Sequence, residues 1–282
     1  MRQLIKSVIK RTTFNLVSLA NSSKIGRFIN YEFIKSVLQL QKTVIHNGCS
    51  LDLVIPNLIN KFRADTFSSK EPETLVWIDS IPIGSVFWDI GANVGLYSCY
   101  AAKKRRCKVL SFEPSVFNLE SLARNIFIND LMDKITIVPL PLSNKLEVSS
   151  LNMSSTDWGG ALSTFGQSYG HDGNDLEKIF EFKTIGLSMD DAVQRLDIPS
   201  PDYIKMDVDG IEHLILKGGS RVLLEVAGIL IEVNEDYKEQ DDNVFEYLTE
   251  AGLVLKEKRH SDMFEGNIVF GNSYNQIWVR QG

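Results

Sequence analysis

The sequence predicts an α/β protein built on a doubly wound, mostly parallel sheet, and three observations carry that prediction. From Val86 onward, short apolar runs alternate with segments of helical periodicity, the pattern left by parallel strands joined through crossover helices. The first run, Val86-Phe-Trp-Asp-Ile90, leads directly into a glycine-bearing turn, Gly91-Ala-Asn-Val-Gly95, and then a helix-like segment from Leu96. The second run, Lys108-Val-Leu-Ser-Phe112, again ends on an acid, Glu113.

Taken in order, residues 1 to about 40 read as helical, with Leu4, Ile5, Val8 and Ile9 on one stripe and Arg2, Lys6 and Lys10 on the other side. The chain divides into a basic N-terminal helical extension over 1–50, a lead-in segment over 51–84 and an α/β domain over 85–282. The parallel strands are expected at 86–90, 108–112, 135–139, 203–207 and 228–233. Between the third and fourth, 147–153 and 180–187 read as extra strands, joined through a loop rich in glycine and aspartate around Gly173. After the fifth come a helix near 243–250, a strand at 253–257, and a final strand pair at about 267–270 and 276–280.

The spacing of the turn discriminates between cofactors. A dinucleotide site wants G-x-G-x-x-G, so that backbone amides can approach a pyrophosphate, but Asn93 and Leu96 stand where the second and third glycines would fall. Glu113 follows Asp89 by 24 residues, near the offset at which an acid reaches ribose hydroxyls. S-adenosylmethionine, with a ribose and no phosphate, fits this pattern better. Asp89 would face its amino-acid part, Gly91 and Gly95 would allow close backbone approach, and Glu113 would accept from the ribose diol. The plainer alternative is two helix-capping acids and two turn glycines.

Three blocks of the sequence resemble the FkbM-type S-adenosylmethionine-dependent methyltransferases. They are Asp89-Ile-Gly-Ala-Asn93-Val-Gly95-Leu-Tyr97, Phe112-Glu-Pro114, and the run from Ile204 to Gly218 that contains Lys205, Asp207, Asp209, Glu212 and His213. The run Lys70-Glu-Pro-Glu-Thr-Leu-Val-Trp-Ile78 also resembles a segment found before the first strand in some members, so the resemblance covers about residues 61 to 235. It implies the class I methyltransferase fold: a Rossmann-like, mostly parallel seven-stranded sheet closed by an antiparallel hairpin, with the β insertion overhanging the cofactor mouth. It also implies a cofactor set of Asp89, Gly91, Asn93, Gly95, Glu113 and Pro114, with Ser143 near the adenine, where an ordinary turn is the alternative.

Chemistry beyond the cofactor centres on the fourth and fifth strands. Lys205 and Asp207 share one face of what should be a buried strand, as do Glu232 and Asn234, and buried charges need partners. The strands are neighbours in the family's sheet, so Lys205, Asp207, Glu232 and Asn234 are expected to form the polar floor of an acceptor site, with Asp207 also beside the cofactor. His213 is the attractive general base by its ordinary pKa, but Asp207 and Glu212 rank above it for taking the acceptor proton. Glu212 matches the family's glutamate, or else is a first-turn acid favoured by the helix dipole. Adjacent residues do not share a helix face, so at most one of Glu212 and His213 is expected to point inward. Trp158, Gly159 and Gly160 lie in a loop that resembles one near the family's active site, where Trp158 could stack on a sugar, or simply be half-buried at a turn. Arg63 and Glu73 could reach the cofactor or acceptor from the lead-in segment, but a structural salt bridge is the favoured reading. Asp207, Glu232 and Asn234 offer oxygen ligands, but the charge of Lys205 opposes a divalent ion, and no metal is expected.

Composition bounds the function. Seven cations among the first 40 residues face Glu32 alone, so the net charge of −6 conceals a remainder near −12, a poor match for a nucleic-acid backbone. Three cysteines without a C-x-x-C pair argue against a disulfide framework or zinc site and fit a reducing cytoplasm. No stretch is long enough for a membrane span. The first 20 residues could lie on an anionic membrane surface, which would place the protein at the inner face of the membrane. The reading favoured instead is a helix packed on the domain with its basic face solvated. The expected activity is O-methylation of a hydroxyl on a sugar, in a glycan or glycolipid, or on a small natural product. Asp207-Val-Asp-Gly210 stands where an Asn-Pro-Pro-Tyr-type run would mark methylation of amino groups. The alternative is a non-catalytic cofactor-binding or scaffold subunit of a membrane-associated glycan-synthesis complex. An oligomer is compatible with the sequence.

Overall fold

The computed structural model describes residues 2–259 and 272–281. Its elements are α1 (Arg2–Ala20), α2 (Lys24–Leu38), β1 (Gln41–His46), β2 (Cys49–Val54), α3 (Leu58–Asp65), α4 (Pro72–Ser80), β3 (Val86–Ile90), α5 (Leu96–Arg105), β4 (Lys108–Phe112), α6 (Val116–Ile128) and β5 (Ile135–Val138). They continue as β6 (Glu147–Met153), β7 (Ser163–Phe165), β8 (Phe180–Gly186), α7 (Met189–Leu196), β9 (Tyr203–Met206), α8 (Glu212–Lys217), β10 (Gly228–Asn234), α9 (Lys238–Glu250), β11 (Leu253–Arg259) and β12 (Ser273–Arg280).

The main sheet has seven strands in the order β11-β12-β10-β9-β3-β4-β5. Strands β5, β4, β3, β9 and β10 pair in parallel, and β12 runs antiparallel between β10 and β11. The closing antiparallel pair is therefore β11 with β12; the strand expected at 267–270 lies outside the described residues. Side chains alternate across β3, and each face has its own core. Trp88 and Ile90 pack with Ile204, Met206, Ile229 and residues of α7, α8 and α9. Phe87 packs with Val109, Leu230 and Ile277 beneath α4, α5 and α6. From β3 the chain proceeds to β4 on one side, while β9 lies on the other. Their C-terminal ends flank the crevice where ligands of such sheets bind.

The N-terminal part departs from expectation in two ways. First, the helical extension stops at Leu38, and Gln41–Val54 forms an antiparallel hairpin, β1–β2, across residue 50. This hairpin belongs to the α/β body: Leu51 and Leu53 are buried, and Val54 N–H donates to Asn125 Oδ1 (2.8 Å) while Asp52 N–H donates to Asn129 Oδ1 (3.0 Å). The strand β2 alternates from Cys49 to Leu53, but β1, Gln41-Lys-Thr-Val-Ile-His46, does not. Second, among the described residues α1 and α2 do not pack on the domain. They lie against each other, Asn30 Nδ2 donating to the Val17 carbonyl, and leave their apolar side chains open, with Leu4 71% and Ile25 75% exposed. Only Gly26 is buried on α2, beneath the Ala20 carbonyl.

The insertion forms a separate antiparallel sheet, β7-β6-β8, whose short edge strand at Ser163–Phe165 was not foreseen. Leu151, Met153 and Phe165 join it to the core, and Asp209 accepts from the Leu162 and Ser163 amides (2.8 and 3.3 Å). The insertion is thus tied directly over the end of β9.

Candidate active site

The turn after β3 is shaped by the strand beside it. Gly91 has φ +83, and a Cβ there would stand 1.8 Å from the Asp207 carbonyl oxygen, so its glycine is required by β9 rather than by a ligand. Gly95, also left-handed, caps α5 against Leu122. Asn93 links the parts of the site: its N–H donates to Glu113 Oε2 (2.7 Å) and its Nδ2 to the Gly160 carbonyl (2.9 Å), while its buried Oδ1 has no partner. Glu113 Oε1 accepts from Ser115 N–H (2.8 Å), and burial lifts this carboxyl to about 7 against those hydrogen bonds. Asp89 lies deeper. It is 1% exposed, its Oδ2 accepts from Ser98 Oγ, and it lines none of the cavities of the site; burial raises its pKa despite Lys205 nearby.

Three cavities meet at Gly91, Asn93 and Asp207. One, about 60 Å³, runs between Phe112, Glu113, Pro114, Asn118, Leu140 and Leu142. Ser143 is buried beside it, its N–H donating to the Leu187 carbonyl, and does not line it. A second, about 40 Å³, lies on the other side of the turn among Lys70, Glu71, Leu96, Tyr97 and Lys205. The third, about 480 Å³, opens over Glu232, Asn234, Glu212, Arg259 and Gly159–Gly160.

Of the residues expected to form a polar floor, Asp207, Glu232 and Asn234 line the cavity of about 480 Å³ and Lys205 the one of about 40 Å³, and Lys205 organises the charges between them. In the parallel register Lys205 stands opposite Asp89, and its Nζ lies 3.2 Å from Asp207 Oδ2 and 5.0 Å from the Tyr97 ring centre. Burial opposes the charge of Lys205, but Asp207, Asp89 and Glu71 outweigh it and raise its pKa. Burial likewise opposes ionisation of Asp207, yet Lys205 and Lys70 hold it down at about 2. Glu232 is pushed well above the ordinary carboxyl range by burial and by Asp207 and Glu71, and a side-chain hydrogen bond with Glu232 helps hold Asp207 low. Asn234 is committed elsewhere: Nδ2 donates to the His171 carbonyl and Oδ1 accepts from Asp236 N–H.

Glu212 and His213 are both buried, against the expectation that only one would point inward, because α8 is covered by α9 on one side and β10 on the other. Glu212 spans its own turn, accepting from Val208 and Gly210 N–H (3.0 Å each) and from Gln240, with burial lifting it to about 7. His213 sits edge-on to Tyr237, 5.8 Å between ring centres, with both nitrogens unpartnered and its pKa lowered by burial; it lines no cavity of the site.

The loop over the site is pinned from below. Gly159 N–H donates to Asn118 Oδ1 (3.0 Å), Asn118 donates to the Gly160 carbonyl (3.1 Å), and Asn57 Nδ2 donates to the Trp158 carbonyl (2.8 Å). Trp158 itself is half-buried and outside the cavities, while Gly159 and Gly160 line the large one. Arg63 donates through Nε and Nη2 to the Gly159 carbonyl (2.9 and 2.8 Å), and Glu73 accepts from Asn275 (2.7 Å). The salt bridge expected of these two is not formed; among the described residues neither enters an ion pair. Sequence reasoning passed over Glu71, which caps α4 ahead of Pro72, is 5% exposed, pairs with Lys70 and accepts from Tyr97 Oη (2.9 Å). The visible signal was the acid immediately before a helix-starting proline.

A seven-stranded sheet with one antiparallel strand inside its edge, and acids at two adjacent strand ends beside the switch point, defines the class I methyltransferase fold. The chain belongs to the FkbM methyltransferase domain family, whose model matches residues 89–255, more than half its length. It is similar to the hexuronic acid methyltransferase AglP of Haloferax volcanii, 29% identical over 184 residues that make up 64% of this chain and 70% of that protein. A shorter stretch of 68 residues is 34% identical to the methyltransferase sdnD of Sordaria araneosa, 24% of this chain and 26% of that one. Among solved structures, the methyltransferase FkbM of Methylobacillus flagellatus aligns with a TM-score of 0.49 and 15% identity over 78% of this chain and 52% of that chain.

Proposed function

We propose that this chain transfers a methyl group from S-adenosylmethionine to an oxygen of a sugar, carried on a glycan or glycolipid or forming part of a small natural product. The observation that carries this reading is the meeting of three unlike cavities at Gly91, Asn93 and Asp207. A sulfonium has three unlike arms: an adenosine, an amino-acid chain and the methyl group with the acceptor beyond it. The Glu113 carboxyl, which lines the cavity of about 60 Å³, fits a ligand with a diol. At about 480 Å³ the third cavity falls in the range of small-molecule sites, and its wall of carboxyl, amide and guanidinium groups suits a polyhydroxylated acceptor. The name of the Haloferax relative supports a sugar acceptor.

S-adenosylmethionine, when bound, supplies an activated methyl group, so the chain's own task is positioning and proton removal. Asp207, ionised at the junction, accepts a hydrogen bond from the acceptor hydroxyl and aims the oxygen. The attacking oxygen becomes strongly acidic as it gains the methyl group, and its proton passes to the Asp207 carboxylate even though that group is a weak base. Lys205 holds Asp207 in place and keeps it charged until then. A side-chain hydrogen bond with Glu232 steers the Asp207 carboxylate. Glu212 keeps the turn after β9 in shape. Calorimetry with S-adenosylhomocysteine, followed by transfer of labelled methyl to hexuronic acids and neutral hexoses, tests the reading. Absence of binding by the unaltered chain refutes it.

We also propose that the α1–α2 hairpin rests on an anionic lipid surface. Among the described residues no helix is long and apolar enough to cross a membrane, yet both helices expose apolar side chains beside seven cations. The strongly acidic remainder of the chain would be repelled by such a surface, so the hairpin is where contact belongs. Cysteine usage supports a cytoplasmic setting, with the contact at the inner face.

A further inference from the structure

We propose that Glu71 and Lys70, with Asn93, receive the zwitterionic amino-acid end of the cofactor; this rests on the S-adenosylmethionine reading above. The cavity of about 40 Å³ is walled by a carboxylate and an ammonium side by side, Glu71 Oε1 against Lys70 Nζ, on the side of the Gly91 turn away from Glu113. An α-amino acid carries the complementary pair, an ammonium and a carboxylate on one carbon, and laying one pair against the other alternates the charges around a square. Asn93 also lines this cavity, and its buried Oδ1, without a partner, offers a further acceptor to the incoming ammonium.

Two features show a receptor rather than a plain surface ion pair. Glu71 is fixed before any ligand arrives: Tyr97 Oη donates to its Oε2 at 2.9 Å, and its backbone caps α4 at Pro72. It is also kept charged in a buried place. Burial opposes ionisation, but Lys70 and Lys205 outweigh it and leave the Glu71 carboxyl below its ordinary value. Asp89, which the sequence pattern assigns to this end of the cofactor, instead braces Lys205 and Ser98 beneath the turn.

The test uses calorimetry on the full chain with three ligands: S-adenosylhomocysteine, its decarboxylated analogue, which retains the ammonium, and 5′-methylthioadenosine, which has neither group. Glu71→Gln is expected to weaken the first two about 10- to 100-fold and the third less than threefold. Lys70→Met should weaken only S-adenosylhomocysteine by a comparable factor. In the unaltered chain 5′-methylthioadenosine should bind at least about tenfold more weakly than S-adenosylhomocysteine, a comparison that stands even if a variant fails to fold. Equal loss for all three ligands in Glu71→Gln, or no loss for any, overturns the proposal while leaving the cofactor assignment intact. Failure of the unaltered chain to bind any of the three removes both.

Discussion

Glu113 offers the sharpest pH test of the cofactor site. Its carboxyl is 4% exposed and is lifted to about 7 by burial, although Asn93 and Ser115 amides donate to it. A carboxyl moved from 4.5 to about 7 reflects roughly 3 kcal/mol of differential interaction favouring its neutral form. A ribose diol donates hydrogen bonds, so binding favours the ionised form. About a tenth of the sites are ionised at pH 6 and about nine tenths at pH 8, so affinity for S-adenosylhomocysteine should rise about tenfold over that interval. The stability of the ligand-free chain runs the other way. A carboxyl whose pKa is raised on folding contributes stability that is fully present below its unfolded value and is lost as pH rises through about 7. Glu113→Gln should therefore bind S-adenosylhomocysteine about 10- to 100-fold more weakly at pH 8, with a flat profile, and its urea midpoint should decline less between pH 5 and 8. Calorimetry and urea titrations at pH 5, 6, 7 and 8 give both quantities. A flat binding profile in the unaltered chain, or a Glu113→Gln variant that keeps the slope, refutes the reasoning.

Other tests address separate parts of the molecule. Gly91→Ala forces a left-handed alanine against the Asp207 carbonyl, and urea unfolding should register a loss of about 2–5 kcal/mol; less than 1 would mean that β3 and β9 part easily. Lys205→Met leaves Asp89, Asp207 and Glu71 without their shared cation and should cost about 3–5 kcal/mol by the same measurement. Asp207→Asn should lower methyl transfer about 10²- to 10⁴-fold, with S-adenosylhomocysteine affinity within about threefold of the unaltered chain; undiminished transfer would remove it as the proton acceptor. Vesicles containing phosphatidylserine should co-float the full chain in low salt, release it as salt rises, and fail to carry a chain lacking residues 1–38. Flotation unaffected by the deletion, or none by the full chain, would dispose of the lipid contact.

The parallel sheet, the turn after its first strand and the acids at Asp89 and Glu113 were legible in the sequence because each depends on neighbours within a few positions. Apolar runs of fixed length, a glycine-bearing turn and a terminal acid are local signals, and the five parallel strands lie within a residue of the boundaries those signals suggest. The buried charges of β9 and β10 were also visible, since a lysine inside an apolar strand demands partners wherever they come from.

What required the assembled fold was every relation between distant segments. Gly91 is a glycine because of β9, more than a hundred residues away, and Asn93 matters because it touches Glu113 and Gly160 at once. Glu71 looked like a residue before a proline until α4 brought it against Lys205 and Tyr97, and Arg63 found a carbonyl on the insertion rather than an acid. The amphipathic stripe of α1 was plain in the sequence, but that it stays uncovered was decided by packing. Periodicity records which face is apolar; which surface meets that face depends on the three-dimensional arrangement of elements that the local pattern does not contain.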